Sequence, residues 1–184
     1  MLRSVDTEQF WNLIEQARAR AGDQADCQAI VAQAVGLLSA LPASEIISAE
    51  QRLHEIVMGS YLHPLWAAAY VINGGCSDDS FDYFRGWLIL QGRSVFGEAV
   101  ADPDGLAGLP AVRTAVAAGG ADLRCEYTLY IASDAYRNAT GQELPEDVTP
   151  AGYPDLDPAW NFDFDDRQEM HKHLPRLSAL CWPG

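Results

Sequence analysis

Asp78, Asp79, Asp82 and Arg85 stand in one short stretch, Ser77-Asp-Asp-Ser-Phe-Asp-Tyr-Phe-Arg-Gly-Trp-Leu-Ile-Leu90. On a helix, Asp78, Asp82 and Arg85 fall at i, i+4 and i+7, a single stripe, with Asp79 about 100° away. Carboxylates so placed, together with several waters, suit a divalent cation such as Mg²⁺ or Ca²⁺. Arg85 would then hold an anionic substrate in bidentate fashion. Gly86 would leave open space beside the stripe, and Glu126, from a later helix, would complete the shell as a base. The chemistry implied is metal-assisted hydrolysis of a phosphorylated or acylated small molecule. The same residues carry a structural account: Ser77 or Asp78 caps the helix, Asp79 and Asp82 favour its positive end, and Arg85 pairs with Asp82 at i, i+3. The sequence leaves both open.

A second candidate lies near the C-terminus. Residues 141–169 carry nine acids against one base, Arg167, in a chain whose net charge is −14. Pro145, Pro150, Pro154 and Pro158 deny this stretch regular structure, so an extended acidic loop is expected over 142–163. Trp160, Phe162 and Phe164 alternate with polar residues, the pattern of an extended segment laid over the domain. Aromatic anchors ringed by acids suit contact with a basic protein partner. Equally, they can pin the loop to its own body. Asp163-Phe-Asp165-Asp166 lacks the central Gly and the twelfth-position Glu of an EF-hand loop, so it is expected to be solvated rather than calcium-binding.

The elements that must position these groups are legible from periodicity. Asp6, with Gln9 three residues on, opens a helix ended by Gly22. A second helix is expected over 24–40, and a third from Pro42 to about Tyr61. Pro64 reopens a short apolar helix closed by Asn73-Gly74-Gly75. The helix that follows is apolar nearly all round and should run through the core. A short helix is predicted over 93–101, and an Ala/Gly-rich connector, loosely helical or irregular, over 106–120. A helix over 121–140 would put Glu126, Tyr130 and Asp134 on one face. A last helical piece surrounds Pro175. The fold class is therefore all-α, a single domain of about seven or eight helices. Residues 1–142 form a helical core, and 143–184 an acidic Pro-rich loop and C-terminal helix packed on it.

Composition narrows the partners. With 26 acids, 11 Arg and one Lys, the chain lacks the clustered bases that nucleic acid or anionic lipid requires. No apolar run reaches the roughly 20 residues of a membrane span, and the start, Met1-Leu2-Arg3, leads directly into an amphipathic helix, so a soluble cytoplasmic chain is expected. Cys27, Cys76, Cys125 and Cys181 lie about fifty residues apart with no C-x-x-C pair, as expected of free thiols in a reducing compartment. Cys76 stands just before a helix start, where the dipole would lower its pKa.

Leu65-Trp66-x-Ala-Ala-Tyr70 (with Ala67 at x), Ile72-Asn-Gly-Gly75, Ser77-Asp-Asp79, Phe81-x-Tyr-Phe-Arg85, Trp87-Leu-Ile and Gln91-Gly92 together resemble a bacterial family known only as domain-of-unknown-function family 4240. Phe10-Trp11-x-x-Ile14, and Glu126 with Ala135-Tyr136, resemble it too. The likeness covers most of residues 6–142. It implies a single domain and singles out Asp78, Asp79 and Arg85, but supplies no activity, substrate or cofactor. The function expected is a binding or regulatory accessory module acting through an acidic face toward a basic protein, a small-molecule anion being the partner of the Arg85 clamp. The alternative is the metal-assisted hydrolase, and oligomeric state is left open.

Overall fold

The computed structural model describes residues 4–119 and 122–183. Residues 1–3, residue 120 of the connector, Ala121 of the expected helix, and Gly184 lie outside the described residues. Within them the architecture is all-helical, with ten α-helices and three 3-10 segments and no strand. That exceeds the seven or eight expected, because the connector holds a helix of its own and Pro175 divides the last helical piece.

Helix α1 (Thr7–Ala21) opens with the expected capping box. Gln9 N–H donates to the Asp6 carboxylate at 2.8 Å, and Asp6 N–H donates to the Gln9 side chain at 2.9 Å. Its apolar stripe, Phe10, Trp11, Leu13, Ile14 and Ala17, is buried. Helix α2 (Cys27–Ser39), capped by Asp26, packs on α1, and α3 (Ala43–Gly59) begins directly after Pro42. Helix α4 (His63–Asn73) takes Pro64 in its first turn, where no amide is needed. It closes on Gly74 in the left-handed region, φ +69°.

Helix α5 (Asp78–Ile89) runs through the core as its composition predicts, burying Phe81, Phe84, Trp87, Leu88 and Ile89. Ser77, not Asp78, is its N-cap, accepting Ser80 N–H at 3.3 Å. Helix α6 (Arg93–Ala101) leads to a 3-10 segment, Pro103–Gly108, and then α7 (Pro110–Ala117), so the connector is more regular than expected.

The helix expected over 121–140 starts late. Residues 122–125 are irregular, a 3-10 segment covers Glu126–Tyr130, and only then does α8 (Ile131–Thr140) begin. The amides explain this. Leu123 N–H donates to the Asn73 side chain at 3.1 Å and Cys125 N–H to the Tyr83 carbonyl at 2.8 Å, so the end of α4 and the middle of α5 hold this backbone out of a helix.

From Gly141 to Asp166 the chain is loop apart from the 3-10 turn Pro158–Trp160. Helices α9 (Arg167–His173) and α10 (Pro175–Cys181) end it, split at Pro175. The buried carboxylate of Asp104 caps α10 from a distance in sequence, accepting Leu177 N–H at 2.9 Å, Arg176 N–H at 3.1 Å and Arg176 Nε at 3.0 Å. No helix of the described residues is long and apolar enough to cross a membrane.

Candidate functional site

The polar stripe of α5 divides. Arg85 is fully buried. One terminal nitrogen donates to the Val57 carbonyl and the other to Oδ1 of Asp82. Its guanidinium carbon lies 4.6 Å from the centroid of Phe81 and 5.1 Å from that of Tyr61, both within cation–π range. Burial pulls its pKa down, and the carboxylate of Asp82 opposes that pull. The second oxygen of Asp82 accepts the Tyr153 hydroxyl at 2.8 Å. Tyr61 and Tyr153 lie against one another, centroids 4.7 Å apart. The expected anion clamp is therefore corrected: Arg85 exposes no surface to a ligand and serves an internal ion pair.

Two further expectations fail on geometry. Gly86 leaves no open space, since a Cβ there would come within 2.3 Å of the Cys125 carbonyl oxygen and 3.2 Å of the Thr128 Cβ. The missing side chain admits the backbone of residues 125–128 against α5, which is a packing role. Nor do Asp78, Asp79 and Asp82 converge. Asp78 and Asp79 are exposed in the first turn, Asp82 is engaged by Arg85 and Tyr153, and the described residues hold no group of three His, Cys, Asp or Glu side chains able to bind a metal.

Glu126 sits elsewhere as well. Together with Asp79 it raises the pKa of Tyr83, after burial as the main cause, and it receives the Tyr130 hydroxyl at 3.5 Å. Asp79 and Glu126 thus both act on Tyr83, while Asp82 is engaged by Arg85. Because 126–130 is a 3-10 segment, Glu126, Tyr130 and Asp134 do not share one helical face as expected.

The tail crosses the face of α3, α4 and α5 and is tied down along its length. Gln51 Nε2 donates to the Val148 carbonyl at 3.2 Å. Beyond Tyr153, the Asp157 carbonyl meets Nδ1 of His63 at 2.6 Å, and the Tyr70 hydroxyl donates to Asp165 at 2.6 Å. Trp160, Phe162 and Phe164 are each half-buried. Phe164 meets Tyr70 and His63 edge-on, with centroids 5.7 Å and 6.4 Å apart, while Phe162 stacks on Trp160 at 5.7 Å and on His173 at 5.0 Å. Between α4 and the tail remains an open cleft of about 350 Å³, whose ring walls are His63, Trp66, Tyr70, Trp160, Phe162 and Phe164.

Sequence reasoning found the tail aromatics but missed their opposite wall. The signal was present: His63, Trp66 and Tyr70 stand at i, i+3 and i+7 and so face one way from α4. Tyr153 carried no such signal, since its partner is 71 residues away. Cys76 reverses its expectation. Burial pushes its thiol up to about 12, against the lowering expected from the helix start.

No curated protein and no solved structure matches the chain. One family model does, over residues 5–138, and the tail from 143 onward lies beyond it. With most of its length so matched, the chain belongs to the family described as protein of unknown function, DUF4240.

Proposed function

We propose that this protein is a binding module whose acidic tail, folded back over α3, α4 and α5, presents a fixed anionic face to a basic protein partner. One observation carries the reading. The segment with nine acids and one base is not a free tail but is held by hydrogen bonds with the side chains of Gln51, His63, Tyr70 and Asp82. A preformed surface spares a partner the cost of ordering it. Glu146, Asp147 and Asp155 are exposed on it, and the described hydrogen bonds and ion pairs do not engage their side chains, so their charge faces outward. Such a field speeds encounter with a basic surface and selects against acidic ones.

The test compares two double variants of equal charge, Glu146→Gln/Asp147→Asn on the tail and Glu8→Gln/Glu45→Gln on the first turns of α1 and α3. Affinity for a short oligolysine peptide at low salt should fall roughly fivefold for the tail pair, the worth of two exposed ion pairs, and hardly at all for the other. Equal losses would mean that net charge alone is read, and the acidic-face reading would be lost.

A further inference from the structure

The cleft between α4 and the tail is walled mostly by rings, with Cys76, Asn161 and Asp163 among them. Helix α4 supplies the rings of His63, Trp66 and Tyr70 from one face, and the tail supplies Trp160, Phe162 and Phe164 from alternate positions. Its volume of about 350 Å³ falls at the lower end of small-ligand pockets, which begin near roughly 300 Å³.

Most polar atoms on the α4 rings are already spent inside the chain, His63 Nε2 being the exception. Trp66 Nε1 donates to the Cys76 carbonyl at 2.9 Å, the Tyr70 hydroxyl to Asp165 at 2.6 Å, and His63 Nδ1 meets the Asp157 carbonyl at 2.6 Å. What remains toward the cleft is chiefly aromatic surface. Asp163, also lining it, spends one carboxylate oxygen on Asp165 N–H at 2.9 Å and has the other left over. The base near Cys76, Arg124, is already paired with Asp122.

A neutral apolar group would use the rings but gain nothing from the acids, and an anion would be repelled by them. A primary ammonium carries three N–H donors and a tight hydration shell, which ring faces cannot replace. A cation without N–H groups has no such debt, and ring faces attract it directly. We therefore infer that this cleft is a binding site for a trimethylammonium group, held by the rings of α4 and the tail and balanced by Asp163. Carried on a small molecule such as choline or on a trimethylated lysine side chain, the group itself is the same.

The inference deepens the reading of the acidic face, on whose tail half the cleft is built. Calorimetric titration of the full chain tests it with two matched pairs: choline against its neutral carbon isostere dimethylbutanol, and a basic peptide with one lysine trimethylated against the same peptide unmodified. The charged, methylated member of at least one pair should bind about tenfold tighter, the scale of a desolvated cation–π contact. Preference within the choline pair alone assigns a free small molecule, and within the peptide pair alone a modified side chain. Phe164→Leu, which keeps an apolar side chain but removes a ring face, should erase most of the preference. Asp163→Asn should weaken the methylated cation while leaving dimethylbutanol unchanged, and it separates the effect from any loss of folding in the Phe164 variant. Equal affinities within both pairs, or no binding by either methylated cation, overturn the inference. Because the choline pair contains no basic peptide, this result is independent of the oligolysine comparison.

Discussion

Asp82 holds two partners at once, the buried guanidinium of Arg85 on Oδ1 and the hydroxyl of Tyr153 on Oδ2 at 2.8 Å. The first partner lies three residues away on the same helix, and the second comes from the loop that crosses over it. One carboxylate thus joins the core of the helical body to the tail that lies beyond the family match.

The pair is asymmetric, and so should be the cost of breaking it. The Arg85 side chain is 0% exposed and that of Asp82 20%. Asp82→Ala leaves a guanidinium buried without its counter-charge and should cost about 3–5 kcal/mol, read as a lower urea midpoint. Arg85→Met fills similar volume and leaves Asp82 with Tyr153 and water, so it should cost distinctly less. The reverse order would show that Arg85 acts through its contacts with Val57, Tyr61 and Phe81 rather than as half of an ion pair.

Tyr153 should report the docked tail through its titration. Its hydrogen bond to Asp82, then burial, pushes the phenol up to about 12 from its ordinary value of 10.0. A group raised on folding adds stability that is complete below its unfolded pKa. That stability should be intact below pH 10 and lost as pH rises toward 12. With the residue 57% exposed, the bond is worth about 0.5 kcal/mol, near the low end for a single hydrogen bond. Tyr153→Phe should lower stability by that amount at neutral pH, and a late-titrating tyrosine should vanish from the alkaline absorbance curve.

Gly86 should tolerate no side chain. Alanine favours helices over glycine by about 1 kcal/mol, yet at this position its Cβ would press on the Cys125 carbonyl, 2.3 Å away on a backbone held by Tyr83. Overpacking against backbone costs about 1–3 kcal/mol or more, so Gly86→Ala should destabilise in spite of the better propensity. Gly97 offers the internal comparison. It lies in α6 with nothing within 4 Å of an added Cβ, and Gly97→Ala should be neutral or stabilising in the same thermal melt.

The thiols should be slow nucleophiles. Burial, as the main cause in each, pushes Cys27 and Cys76 up to about 12 and Cys181 up to about 11. At pH 8 the thiolate fraction of Cys76 would then be on the order of one in ten thousand. Iodoacetamide should label these three far more slowly in the folded protein than in urea. Fast labelling of Cys76 in the native state would restore the lowered pKa expected from its place before α5.

Much of the helical order follows from residues within a turn of one another. Asp6 with Gln9 starts α1, Gly74 stops α4, and Asp82 finds Arg85 at i, i+3, because caps and side-chain pairs on a helix involve near neighbours only. The breaks were harder to see. Leu123 and Cys125 stay out of a helix because their amides are taken by Asn73 and Tyr83, partners some forty to fifty residues back.

The candidate site shows the same division. Sequence alone located the stripe on α5 and the aromatic tail, since both are written as local periodicities. That Gly86 is filled by the backbone at Cys125, that Glu126 turns to Tyr83, and that Phe164 meets Tyr70 across a cleft depended on the path of the whole chain. A helix fixes which side chains share its face, but only packing against distant segments decides whether that face opens on solvent, on a partner or on the core.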